Sequence, residues 1–155
     1  MELHTQQELI RLAMREAQQA AQEGNYPFGA VVAGADGKVI ASAHNTQNTT
    51  HDPTAHAEVN LIRLLAKQFT ESEIADMVLA SNAESCSMCM SAAIKAGFRH
   101  FIFGAPSELH MEPFLTVSDV LKFCRAEMDV TFGVLEEDCR RQIAETRKTQ
   151  GKLAQ

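Results

Sequence analysis

Leu9, Leu12, Ala13, Ala17, Ala20 and Ala21 recur at helical spacing through an otherwise polar amino-terminal stretch. The pattern predicts an amphipathic first helix, opened by a capping box at Thr5-Gln-Gln-Glu8 and stopped at Gly24. Two short, Val-rich apolar runs follow, 28–34 and 38–44, on either side of Ala35-Asp36-Gly37. An Asp-Gly pair between such runs is a hairpin signal. Asp52-Pro53 then reads as the opening of a second helix, with apolar Val59, Leu61, Ile62, Leu64 and Leu65, fading near Thr70.

Further on, 77–81 reads as a strand, 86–96 as a helix of small residues ended by Gly97, and 100–103 as a strand. A helix over 117–125, a strand over 130–134 and a charged helix from Glu136 complete the order. Single strands alternating with helices imply parallel pairing after the initial hairpin. The expected fold is a three-layer α/β domain with a mixed five-stranded sheet. No linker, repeat or low-complexity stretch divides residues 1–155, so one domain is expected.

A chain of 155 residues can bury a core without a metal or disulfides to hold it together. Any metal would therefore serve chemistry. Fourteen Lys and Arg against twenty Asp and Glu give a net charge of -6, with pI near 5.5. This supplies no general attraction to phosphate backbones or anionic lipid, and disfavours nucleic acid as a partner. A local exception is the tail, where Arg140, Arg141, Arg147, Lys148 and Lys152 outnumber Glu145; it reads as a solvated helix face, with a nucleic-acid contact as the alternative. The amino terminus lacks a signal peptide's apolar centre, and no apolar run reaches the roughly 18 residues of a membrane span. A cytoplasmic protein is expected, with Cys86, Cys89, Cys124 and Cys139 reduced.

Cys86 and Cys89, three apart at a helix start, project from one face, where the peptide dipoles favour thiolates. His56 and Glu58 lie near another helix start. Three ligands of mixed N and S type, His56, Cys86 and Cys89, would leave zinc a fourth position for water. Zinc lowers the pKa of that water toward about 7, making hydroxide available, and Glu58 would move protons beside it. Such a pair suits attack on an amino-bearing ring carbon with release of ammonia.

In these motifs the chain resembles the zinc-dependent cytidine and nucleobase deaminases. Pro27-Phe-Gly-Ala-Val31, Asn45, His51-Asp-Pro-Thr-Ala-His-Ala-Glu58 and Ser85-Cys-Ser-Met-Cys89 stand in that family's order, over roughly residues 26–104. The resemblance implies a cytidine deaminase-like fold, Zn2+ as cofactor, a homodimer, a base-contacting Asn45 and a backbone amide at Ala57 that binds the base. Phe28 either packs inward or lines the pocket. Among relatives, PFGA resembles guanine deaminases, which makes a free base such as guanine the expected substrate. A tRNA adenosine deaminase is the alternative, favoured by HDPTAHAE, by FGA at 103–105 and by the basic tail. Cytosine, and a noncatalytic zinc-binding scaffold, come after it.

Two departures stand out. Ser85 occupies a position where the family usually has Pro, with some loss of rigidity expected. Residues 105–114, APSELHMEPF, match no subfamily motif and hold Glu108, His110 and Glu112 as further candidates for substrate contact. A thioredoxin-like reading of Cys86-x-x-Cys89 would leave His56 and Glu58 without a role. Cys124 and Cys139 read as small buried hydrophobes, Met88 and Met90 as packing for the zinc helix, and His44, His51 and His100 as surface or satisfied polar groups.

Overall fold

The computed structural model describes residues 1–107 and 115–153; Glu108, His110 and Glu112 lie outside the described residues. The elements are α1 (Leu3–Gln22), β1 (Gly29–Ala33), β2 (Val39–His44), α2 (Gln47–Thr50), α3 (Ala57–Leu65) and α4 (Glu71–Ala75). They continue with β3 (Val78–Ala83), α5 (Ser87–Ala96), β4 (His100–Ala105), α6 (Val117–Phe123), β5 (Asp129–Thr131) and α7 (Glu136–Leu153). The sheet runs β2-β1-β3-β4-β5. β1 is antiparallel to both β2 and β3, while β3, β4 and β5 are parallel. The expected mixed five-stranded sheet is therefore present.

Alternation along the strands builds the three layers. Ala30 and Val32 of β1, Leu79 of β3, and Phe101 and Phe103 of β4 pack toward α3 and α5. Val31 and Ala33, Val78 and Ala80, and Ile102 and Ala105 pack toward α1 and α7. Successive strand residues face opposite sides, so a sheet covered on both faces buries its strand residues at every position. The burial of all five residues of β1 and all six of β3 follows. On one face Phe98, Phe101 and Phe103 run in sequence, with ring centroids 6.4 and 6.1 Å apart. Each contributes about 1.5–3 kcal/mol by leaving water.

Two predicted helix starts are corrected. α1 begins at Leu3 with Glu2 as N-cap and no side-chain cap, so Thr5 lies inside the helix and forms no capping box. Asp52-Pro53 does not open α3, which starts at Ala57. Asp52 Oδ1 instead accepts from the N–H and hydroxyl of Thr54, and Arg63 reaches back to Asp52 at 3.3 Å. A side chain that bonds its own downstream backbone competes with helix formation, and here the turn wins. β5 is shorter than the predicted 130–134 strand, ending at Thr131. α2 and α4 were not predicted; α4 carries a capping box from Thr70 and Glu73.

The stop at Gly24 is as expected. Gly24 has φ +84°, its N–H bonds Ala21 O, and Asn25 N–H reaches Ala20 O, which together form a Schellman motif. No helix among the described residues is long and apolar enough to cross a membrane.

Candidate active site

Two helix starts meet at one end of the sheet. His56 is the N-cap of α3, with extended backbone at φ -71° and ψ 156°, and Cys86 is the N-cap of α5, at φ -66° and ψ 166°. An N-cap residue is outside the helical geometry, so His56 need not diverge from Glu58 as i and i+2 do along a helix body. His56 Nδ1 lies 3.3 Å from Cys89 Sγ and 3.6 Å from Cys86 Sγ. The ligand atoms of all three residues fall within 4.8 Å of one another.

A tetrahedral ion at ordinary Zn–N and Zn–S lengths separates N and S by about 3.6 Å. The spacing therefore fits the metal. Cys86 Sγ also accepts the N–H of Cys89 at 3.5 Å. The Cys86 thiol is pulled down to about 4, first by the Cys89 S–H and also by His56 and the Cys89 N–H, against burial. Cys89 is pushed up, by its bond to Cys86 and by burial. Both sulfurs sit at the positive end of α5, which favours anionic ligands.

Glu58 is 6% exposed. Burial pushes its carboxyl pKa up, opposed by a hydrogen bond from Ser85. The Ser85 hydroxyl donates to Glu58 Oε1 at 2.7 Å and is itself buried. His56, Glu58, Cys86 and Phe28 line one cleft of about 340 Å³.

Phe28 is thus placed on the cleft, and the segment before β1 is held there by a residue that sequence reasoning missed. Asn82, fully buried, accepts from Gly29 N–H at 3.0 Å and donates to Pro27 O at 3.1 Å. Ala57 is the first residue of α3, so its N–H is one the helix does not satisfy internally. Asn45 sits differently from the other candidates. It is 1% exposed, its amide donates to Gln47 Oε1 at 2.7 Å, and its oxygen accepts from Gln47 N–H. Gln47, not Asn45, lines the cleft, with its own amide donating to Pro53 O.

Glu84 and Arg147 also line the cleft, and burial raises the Glu84 pKa. Arg147 is on α7 of the same chain, and its only sequence signal was membership of the basic tail. Within that tail Arg140 pairs with Glu136 at 2.9 Å and Arg141 pairs with Asp138. Cys139 is buried as expected, whereas Cys124 is only partly so. Met90 is buried and Met88 is 37% exposed, so only Met90 packs the core.

The profile described as "Cytidine and deoxycytidylate deaminase zinc-binding region" matches residues 3–105, and the chain belongs to that family. The tRNA-specific adenosine deaminase of Bacillus subtilis is 32% identical over 138 residues, 87% of this chain and 84% of that protein. The guanine deaminase of the same organism is 44% identical over 66 residues, 43% of this chain and 42% of that protein. A chain solved in work on A-to-I editing by tRNA:A34 deaminases at the wobble position of transfer RNA superposes with TM-score 0.73. It is 27% identical, over 87% of this chain and 98% of that one. Against four further curated relatives, the matched stretch amounts to between 8% and 66% of the relative's own length. The metal of this family region is zinc, and the His–Cys–Cys group can hold it.

Proposed function

We propose that this protein is a zinc-dependent hydrolytic deaminase of a free amino-heterocycle, with guanine as the leading substrate. The observation that carries the reading is the shared cleft: His56, Cys86 and Glu58 open into the space that Phe28 and the chain's own Arg147 line. Its volume, about 340 Å³, is at the low end of small-molecule sites. His56, Cys86 and Cys89 hold the metal, which when bound supplies the Lewis acidity that makes water a nucleophile at neutral pH.

The chain's residues do the rest. Glu58, buried beside the ligands, takes a proton from the attacking water on a carboxylate oxygen and gives it to the departing amino nitrogen. A C–O bond forms at the ring carbon, the C–N bond breaks, and nitrogen leaves as ammonia. Phe28 covers a face of the ring and the Ala57 N–H binds its polar edge. Asn45 acts with Gln47, which stands between it and the cleft. Four free cysteines fit a cytoplasmic setting, and a homodimer is the expected assembly.

The tRNA adenosine deaminase reading has its own support, in the match with the Bacillus subtilis enzyme of that name over 87% of this chain. Ammonia release decides between them, measured on guanine, adenine, cytosine, their nucleosides and an adenosine-containing anticodon stem-loop. Zinc-loaded wild type should act on guanine. Glu58→Ala should lose about 10³-fold or more while retaining zinc. Activity on the stem-loop alone would transfer the assignment to tRNA. No turnover by a stoichiometrically zinc-loaded protein would point to a scaffold.

A further inference from the structure

Ser85 is 2% exposed, and a hydroxyl buried that far needs a partner. The partner it has is Glu58 Oε1, at 2.7 Å. Its position is fixed from both sides. Glu84 N–H bonds Ala105 O at 2.8 Å, tying the preceding residue to β4, and Cys86 is the N-cap of α5. The hydroxyl is consequently presented to the carboxylate by backbone that two elements hold. Proline, usual here in the family this chain resembles, has no side-chain donor to offer.

We propose that Ser85 is a positioning residue for the Glu58 carboxylate: by donating to Oε1 it holds the carboxylate in one rotamer at the cleft. The inference rests on Glu58 as the proton carrier in the reading above.

The test compares Ser85→Ala, which removes the hydroxyl, with Ser85→Thr, which keeps it, both zinc-loaded. Two readouts are taken: kcat and KM on guanine, and the 13C carboxyl resonance of Glu58, assigned by its loss in Glu58→Gln. Ser85→Ala should lower kcat about tenfold with KM little changed and should shift the resonance, since the oxygen left behind is buried without its donor. Ser85→Thr should restore most of the kcat and return the resonance toward wild type. Ser85→Gly replaces Ser85→Ala if the latter does not fold.

The proposal is overturned if the Glu58 resonance is the same in Ser85→Ala as in wild type. It is equally overturned if Thr fails as far as Ala in both readouts, because shape and not the hydroxyl would then be what matters. If wild type does not act on guanine, the substrate assignment falls while the resonance still decides whether Ser85 holds Glu58.

Discussion

Gly29 shows how a single missing side chain can set the site. A Cβ built there would lie 2.6 Å from Ala17 N and would also meet Ala13 O, both backbone atoms of α1. The helix therefore rests directly on the start of β1, and Asn82 and Ser81 bond the same glycine from β3. Phe28, one residue earlier, reaches the cleft from this clamped point. Gly29→Ala would push apart α1 and β1 where no flexible side chain can yield, at a cost of about 3 kcal/mol. A lower urea midpoint with an unchanged m-value is the expected signature. Because Phe28 moves with this junction, KM for the base should rise in the same variant.

Between α1 and the edge strand β2, charge makes the contact that apolar packing makes elsewhere. His44 Nδ1 lies 2.8 Å from Glu16 and Nε2 lies 3.0 Å from Glu23, both on or just after α1. Burial lowers the imidazole pKa, but the two carboxylate bonds outweigh it and the net shift is upward. A pKa raised on folding adds stability that is fully present below the unfolded value of about 6.5 and disappears as pH rises through the folded value. Ser42 donates to Glu16 and Asn60 donates to the His44 carbonyl, and neither bond depends on the imidazole proton. His44→Gln should thus destabilise the protein more at pH 5.5 than at pH 8.5, read as the difference in denaturation midpoint between variant and wild type. An equal loss at both pH values would show that the proton is immaterial.

The same elements show which parts of the fold could be read from sequence. Gly24, Asp36-Gly37 and Gly97 are local punctuation: each acts on backbone within a few residues, and each falls where the structure turns. The Cys86–Cys89 pair was legible for a related reason, since the two share one helix turn, whereas the approach of His56 to them depends on a helix start that the sequence reading placed at Asp52-Pro53. What could not be read depends on distant partners. α2 has no side-chain cap of its own; Asn25, more than twenty residues earlier, accepts the N–H groups of Asn48 and Thr49. Asp52-Pro53 has the composition of a helix start, but Arg63 and Thr54 hold it as a turn. Ser85 beside Glu58 and Gln47 over Asn45 likewise have no counterpart in spacing.

At the level of the whole molecule, α7 brings a residue from late in the chain to the cleft. It is anchored on α1 by Gln142 donating to Met14 O and on the segment after α1 by Gln150 donating to Asn25 O, each at 2.7 Å. Arg147 lies between those anchors in sequence and lines the cleft together with Phe28. In a protein of net charge -6 this cation lines the cleft, and on the proposed reading it would meet an acceptor on a small base without any wider basic surface. Arg147→Ala should accordingly raise KM for guanine several-fold while leaving kcat nearly unchanged, the pattern of lost uniform binding. Salt separates this role from a nucleic-acid footprint. A neutral base releases no counterions, so KM should change by less than about twofold between ~50 and ~200 mM salt; a stem-loop held through six or more phosphates would weaken by about 10³-fold. A steep salt slope that Arg147→Ala reduces by about one would make Arg147 a phosphate contact and move the substrate from a free base to RNA.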